Sequence, residues 1–456
     1  MPTYSQTGRQ PRRGRRPPAG VPAARPGFLG AWEQMVGPQG VPPVPRRRGR
    51  KPRVPVTQLL PALTYHVMQD AGTLADHLFQ LFRVPLADSS WSDRRLRLPW
   101  EIFADLMRRA LRPRATPRQH PQAFWRGWRL LALDATQFSL INTPQVTTAL
   151  VKAATRRGRA AFAKITTAVL LEVGLHNPLA AAIGRHGESE WALAQRLLAQ
   201  LPKRALLLGD RLYGVAAFLV LARAACARGG SHFLVRASRV TKPRVRQRLR
   251  DGTCLVQLAV RARNNPHRIV DWVEVREIRV RVGRPGHRTH ELRLWTTLLD
   301  VRTAPALELA RVYASRWEHE LYFRDLKKQL RKTALLQSHT VETGAQEIAA
   351  VVLASALLAT ERARAATDAV PVLRVRFGQV LNIVRGMWLF FGPFDDLITD
   401  RQKTRIVQRG RTLMRRSLTQ PRRARSCPRA VRQSVKRWPR LLRTQSVEGP
   451  MHFKLV

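Results

Sequence analysis

Carboxylates are scarce in this 456-residue chain. Its 30 Asp and Glu stand against 81 Lys and Arg, which leaves a formal net charge of +51. Solubility needs far less, and self-repulsion at that level opposes a compact state. A polyanionic partner relieves the repulsion, and nucleic acid is the usual one. Lysine is sparse as well. Arginine supplies 70 of the 81 basic residues, and its planar fork binds phosphate bidentately and reads guanine edges. Arg-rich codon usage accounts for part of the preference for Arg over Lys, but not for the total charge.

Cysteine is nearly absent. Cys226, Cys254 and Cys427 are far apart and none sits in a C-x-x-C spacing, which excludes a zinc finger or disulfide framework read from spacing. The N-terminus lacks an apolar stretch of the kind a secretory leader needs. The longest apolar run, residues 348–360, is shorter than the ~20 residues that span a bilayer. A buried helix is expected there, in a cytoplasmic, reducing setting and with no membrane partner.

Residues 1–55 are expected to form a disordered basic arm. Residues 1–53 carry 12 basic side chains and one acid, Glu33, among many Pro and Gly, too little apolar surface to fold alone. Its end, Arg46 to Arg53, holds a short Arg-Gly-Arg core of the kind that enters a narrow minor groove. From 56 to 115, Leu59, Leu60, Leu63 and Val67 and then Leu74, Leu78 and Leu81 recur at helical spacing. A helical DNA-binding subdomain is expected, with a packing or dimerisation element as the alternative.

After Trp128 the rhythm changes. Strand-like runs at 129–134, 163–173 and 178–183 are followed by a helix near 189–201, a strand at 205–210, a helix at 214–227 and a strand at 232–237. This order implies a mixed sheet covered by helices within residues 125–345. Residues 240–300 read as a β-rich insertion of short strands, with a turn at Gly283, Pro285 and Gly286. A long helix is expected over 305–331, further helices over 346–400, and a basic tail over 401–456. Residues 401–447 hold 16 basic side chains and no acid.

Three acids stand out. Asp134 and Asp210 each close an apolar strand-like run, and sites in open α/β sheets lie at the carboxyl ends of strands. The third comes from the 305–331 helix. With Tyr313 at zero and ~100° per residue, Arg316 falls at about −60°, Glu320 at about −20° and Lys327 at about −40°. One stripe thus carries a carboxylate flanked by cations and a phenol suited to phosphates. A salt-bridged surface stripe is the alternative. Glu318 points elsewhere, at about 140°.

The spacing Tyr313-x2-Arg316-x3-Glu320-x6-Lys327 resembles the Y-R-E-K signature of a bacterial insertion-sequence family of DDE transposases. Asp134-Ala135-Thr136 resembles that family's first acidic motif and Asp210-Arg211-Leu212-Tyr213 its second, with Ala135 and Leu212 where Gly is commoner. Gly187-Glu188-Ser189-Glu190 is also similar. The resemblance implies an α/β, RNase H-like mixed sheet with helices on both faces, interrupted by a β-rich insertion, plus the helical N-terminal subdomain. It implies metal-dependent DNA cleavage and strand transfer, with Asp134, Asp210 and Glu320 holding two Mg²⁺ ions, for which Mn²⁺ substitutes. Element terminal repeats and target DNA are the implied partners, in a homodimeric synaptic complex associated with the nucleoid. Tyr313, Arg316, Lys327 and Arg211 are the expected DNA contacts. Trp295 is the candidate for stacking on a displaced terminal base, with Trp272 competing for that role and packing of the insertion as the alternative. A nuclease that cuts without joining and a DNA-binding protein that has lost its chemistry are the two other readings.

Overall fold

The computed structural model describes residues 27–43, 54–155, 158–262, 264–265, 267–283, 290–331, 333–392, 394–420 and 452–455. Its centre is a sheet whose apolar strands do not alternate with polar residues. In β1, Trp128–Ser139, Leu131 and Leu133 enter one core while Leu130 and Ala132 enter another. In β4, Ala205–Gly209, Ala205 and Leu207 join the first core, and Leu206 and Leu208 the second. A strand without alternation is buried on both faces, and here helices supply both covers. Glu190–Leu198 and Ala216–Ala227 lie on one side, Ala306–Tyr313 on the other.

The strand order follows from the connections. β1, β2 (Lys164–Glu172) and β3 (Asn177–Ile183) form an antiparallel meander. The chain then crosses through Glu190–Leu198 to place β4 parallel to β1 on its free side. A second crossover through Ala216–Ala227 adds β5, His232–Arg236, parallel to β4. Parallel neighbours need such helical crossovers. The order β3-β2-β1-β4-β5 is that of an RNase H-like sheet. The insertion does not build a sheet of its own. Its strands β6 (Arg244–Arg248), β7 (Cys254–Arg261), β8 (Ile269–Gly283) and β9 (His290–Thr296) extend the same sheet, through antiparallel pairing of β9 with β5.

A third core lies at the β2–β3 side. The helix Val341–Ala365 is almost wholly buried there, and the helices Val56–His66, Leu74–Phe82, Asp88–Arg97, Trp100–Ala110 and Phe377–Phe390 surround it. It is long and apolar enough to cross a membrane by composition, yet 94% of its most apolar window is covered by the protein. Residues 56–115 therefore do not stand apart as a separate subdomain. Their core is shared with the C-terminal helices, and Arg95 fixes the join by donating to the Thr343 carbonyl (2.7 Å) and to Ser338 Oγ (3.2 Å).

Two further expectations are corrected. Residues 1–55 are not an arm throughout: Phe28–Val36 is helical, and Phe28, Trp32, Met35 and Val36 are buried, because their four large apolar side chains share one helix face. Residues 1–26 and 44–53, with the Arg-Gly-Arg core, lie outside the described residues. The tail expected from 401 begins as a helix, Asp400–Arg416, opened by a Thr399–Gln402 capping box and anchored by buried Met414. Residues 421–451 lie outside the described residues.

The insertion is tied to the next helix by one buried cation. Arg276, with 0% of its side chain exposed, donates from Nη1 to the Ala304 carbonyl (2.6 Å) and from Nε to Thr253 Oγ1 (2.9 Å), and pairs through Nη2 with Asp251. Ala304 leads directly into Ala306–Tyr313. Arg276→Ala is expected to cost about 3 kcal/mol, the low end for breaking a buried ion pair because Asp251 keeps partial solvent contact. Urea unfolding followed by circular dichroism measures it. A loss under about 0.5 kcal/mol, the range of ordinary surface substitutions, would show that the tie is unimportant.

Candidate active site

The parallel pairing of β1 with β4 sets the position of two acids. The last pair in register is Leu133 with Gly209. Asp134 and Asp210 follow these residues on neighbouring strands, which run ~4.8 Å apart. Asp134 is not at a strand end as its apolar run suggested. β1 continues to Ser139, because its other edge remains paired with β2 through Asp134–Val169 and beyond. What ends at Asp134 is the pairing with β4. Asp210 does sit at a strand end, and its Oδ1 accepts the Leu212 amide (2.7 Å). The Ala135 amide donates to Asp134 Oδ1 (2.9 Å). Neither Ala135 nor Leu212 has positive φ, so neither turn requires the glycine commoner there. Gly214 is constrained instead: an added Cβ would sit 2.0 Å from the Arg236 carbonyl oxygen.

The third acid arrives from a helix that is broken rather than continuous. Ala306–Tyr313 is α-helical, Ala314–Arg316 tightens to a 3-10 turn, Trp317–Asp325 is α-helical again, and Leu326–Leu330 widens to a π turn. Such departures from regular winding recur at functional sites. Arg316 and Glu320 still share a face. Arg316 Nη2 pairs with Glu320 Oε1 at 2.8 Å, and its Nη1 lies 3.5 Å from Asp134 Oδ2. One guanidinium therefore spans the first and third acids. Glu318 turns away and pairs with His176 Nε2 at 2.8 Å.

The charges are unevenly compensated. Burial opposes ionisation of Asp134, yet His319, Arg316 and the Ala135 amide together hold its carboxyl below the usual range. Asp210 is pushed up, first by burial and then by the negative charge of Asp134, with the Leu212 amide, Arg316 and Arg211 only partly offsetting this. Arg211 is itself lowered, by burial and then by Arg236 and Arg239. Of these three arginines, Arg211 is the one whose charge acts on Asp210.

Two expected DNA contacts are placed elsewhere. Tyr313 is buried, and its hydroxyl donates to the Gly209 carbonyl (3.1 Å), bracing the strand end just before Asp210. A phenol on the carboxylate stripe thus faces the core, because the sheet covers that part of the helix. Trp295 has no exposed surface. Its indole N–H donates to Glu277 Oε2 (2.9 Å), opposite it in the β8–β9 register, and Arg293 covers its ring. A displaced base cannot reach that ring without the core opening. Trp272 is the exposed tryptophan of the insertion, at 39%. Lys327, in the π turn, lines a cleft beside β1.

Two residues near the acids carried weaker sequence signals. Glu190, in the first turn of Glu190–Leu198, accepts the hydroxyl of buried Tyr213 at 2.8 Å. Burial and the charges of Asp134 and Asp210 raise its carboxyl. The run Gly187 to Glu190 marked it, but only the fold turns that helix end toward β1. His319 is fully buried with its Nδ1 3.8 Å from Asp134 Oδ2, and neither ring nitrogen has a hydrogen-bond partner among the described residues. Nothing in its spacing distinguishes it from any histidine beside an acid.

Residues 125–357, which include Asp134, Asp210 and Glu320, match the family described as the transposase DDE domain. The chain is 28% identical over 245 residues to transposase InsG for insertion sequence element IS4 of Escherichia coli (strain K12). That alignment covers 53% of this chain and 52% of the relative, so the chain spans about half the length of the curated relative it matches. Among solved structures, a cryo-EM structure of the piggyBac transposase synaptic complex with hairpin DNA aligns with a TM-score of 0.41 and 8% identity, over 85% of this chain and 81% of that one.

The burial of Trp295 and the crowding of Asp210 each predict a substitution effect. Trp295→Ala is expected to cost about 3–5 kcal/mol of stability by opening a cavity, with no change in the fluorescence of 2-aminopurine placed at a terminal base. A fluorescence change at full stability would return Trp295 to a stacking role. Asp210→Asn keeps the acceptor for the Leu212 amide while removing the charge that faces Asp134. It is expected to raise the unfolding midpoint of the metal-free protein, and a lowered midpoint would show that the repulsion is already relieved within the chain.

Proposed function

We propose that this chain, which belongs to the transposase DDE-domain family, cleaves DNA at the terminal repeats of a bacterial insertion sequence and joins the freed ends to target DNA. The observation that carries the reading is the β1–β4 register. It sets Asp134 and Asp210 side by side, while Arg316 draws Glu320 toward the same place.

The donor set suits a hard cation. Among the described residues no three His, Cys, Asp or Glu side chains are gathered tightly enough to chelate an ion by themselves. Mg²⁺, however, is commonly held by one or two carboxylates, with substrate phosphate completing its shell. The Asp134–Asp210 pair fits that pattern, and Asp210, pushed up first by burial and then by the charge of Asp134, would be stabilised in its ionised form by a bound cation. Asp134, Asp210 and Glu320 would hold two Mg²⁺ ions, with Mn²⁺ able to replace them. When bound, such ions polarise the phosphodiester and support both the attacking and the leaving oxygen.

The remaining chemistry belongs to the side chains. Asp134 stays ionised because Arg316, His319 and the Ala135 amide favour its charged form. Arg316 orients Asp134 and Glu320 together and can turn toward a phosphate oxygen when the carboxylates are otherwise engaged. Lys327, in the cleft beside β1, and Arg211, next to Asp210 in the chain, can each hold a phosphate next to the scissile bond. The carboxylates serve as ligands rather than as proton shuttles. The net charge of +51 supplies sequence-independent affinity, and two copies of the chain would bring two element ends together on the nucleoid.

Asp134→Asn, Asp210→Asn and Glu320→Gln are each expected to reduce cleavage and strand transfer by more than about a hundred-fold, beyond the effect of losing a residue that only supports a ligand. Binding to element-end DNA should persist, because phosphate contacts by the basic surface remain. Gel assays with Mg²⁺ or Mn²⁺ and labelled element ends resolve cleaved from joined products. Retained joining by Asp210→Asn would overturn the mechanism. Cleavage without joining by the unmodified protein would favour a nuclease, and binding without either product a protein that only holds DNA.

A further inference from the structure

Beside the carboxylates lies a cleft of about 610 Å³ that follows β1 from Ala135 to Ser139, the residue that pairs with Lys164. Glu190 lines one end, where its carboxyl faces the charges of Asp134 and Asp210. Lys164, Lys327 and Arg331 line the rest, with Thr166 among them. Lys164 is the first residue of β2, Lys327 lies in the π turn that follows Trp317–Asp325, and Arg331 is the extended residue just after that turn. Only Lys327 belongs to a recognisable sequence pattern. Nothing in spacing points to Lys164 or Arg331.

Two of the cations are held in place. Phe138, buried in β1, carries Lys327 Nζ at 5.4 Å and the Arg331 guanidinium at 5.6 Å from its ring centre. Arg331 is only 7% exposed. Its Nη2 reaches Thr333 Oγ1 (3.3 Å), while its Nε has no hydrogen-bond partner and lies 3.8 Å from Glu347. That one acid is already occupied, since Glu347 accepts from Ser338 Oγ (2.8 Å) and the Gln337 amide (3.3 Å). The Lys327 ammonium is lowered by burial first, then by the charges of Arg331 and Lys164. Three like charges share one cleft, and the acid nearest Arg331, Glu347, is already engaged elsewhere.

We propose that Lys164, Lys327 and Arg331 form a backbone-phosphate subsite that grips the DNA strand next to the phosphodiester presented to Asp134, Asp210 and Glu320. Ammonium and guanidinium groups aimed at phosphate oxygens make the stronger, charge-assisted class of hydrogen bond. The polarity of the cleft orients the strand, with a phosphate drawn to the basic part and the reacting one left at the acidic end. The inference rests on the proposed transposase chemistry for its choice of DNA strand.

Lysine acetylation read residue by residue by mass spectrometry tests it without relying on activity. The full chain is labelled alone, with a saturating short blunt DNA duplex, and with inorganic phosphate. Lys164 and Lys327 are expected to be protected several-fold by the duplex and not by phosphate, while Lys203, at the opposite end of β4, stays reactive. Lys164→Gln and Arg331→Gln should each weaken protection of Lys327 and slow cleavage about ten-fold, with bulk DNA affinity little changed. Lys164 sits exposed at a strand start, so its variant folds even if the Arg331 variant does not. Unchanged acetylation of Lys164 under saturating duplex overturns the subsite, and equal protection by phosphate reduces it to a general anion pocket. Protection without any cleavage by the unmodified protein leaves the subsite standing and removes the proposed chemistry. Cleavage without protection does the reverse.

Discussion

Two carboxylates on adjacent strands repel one another, and much of the site is arranged around that repulsion. The backbone decides it: once Leu133 pairs with Gly209, the next residue on each strand is an aspartate, and neither can move away without breaking the sheet. Asp134 receives compensation from Arg316, His319 and its neighbouring amide, whereas Asp210 receives less and is pushed up. Groups whose ionisation is perturbed in this way cluster at functional sites. Arg316 is central because it holds Asp134 and Glu320 with one planar group. Lysine could not do this with the same geometry.

The surrounding fold keeps that arrangement rigid. Both faces of β1 and β4 are covered, so the strands that carry the aspartates cannot slip in register without moving leucines between two cores. Tyr313 braces the end of β4 through the Gly209 carbonyl, and Tyr213 holds Glu190. Arg276 links the insertion to the segment that begins the Glu320-bearing helices. The insertion therefore acts as a lengthened edge of the sheet that anchors the segment carrying the third acid.

Much of this was legible in the sequence. Unbroken apolar runs ending in acids marked β1 and β4, helical periodicity marked residues 56–110, and interleaved polar and apolar residues marked the insertion strands. The helix phase brought Arg316 and Glu320 to one face, where they pair. It failed for Tyr313, because phase says which residues share a stripe but not which part of the stripe the sheet covers. Trp295 was read by position near the end of the insertion, and its burial depends on β9 pairing with β5, a long-range contact that no local pattern announces. Phe28–Val36 was hidden in a basic, Pro-rich segment because its apolar face matters only when the C-terminal helices are there to receive it.

Sequence alone determined the kinds of chemistry available. A large excess of arginine, few acids, and three of those acids at motif positions point to a polyanionic partner and to oxygen donors. Tertiary structure decided which groups meet. Glu190, His319, Lys164 and Arg331 are spread along the sequence and reach the site only because the β1–β2 meander, the helical crossover to β4 and the helices after β9 all pack against one strand. Local patterns are set by contacts within a few residues, while charge coupling at the site depends on distances that only long-range packing fixes.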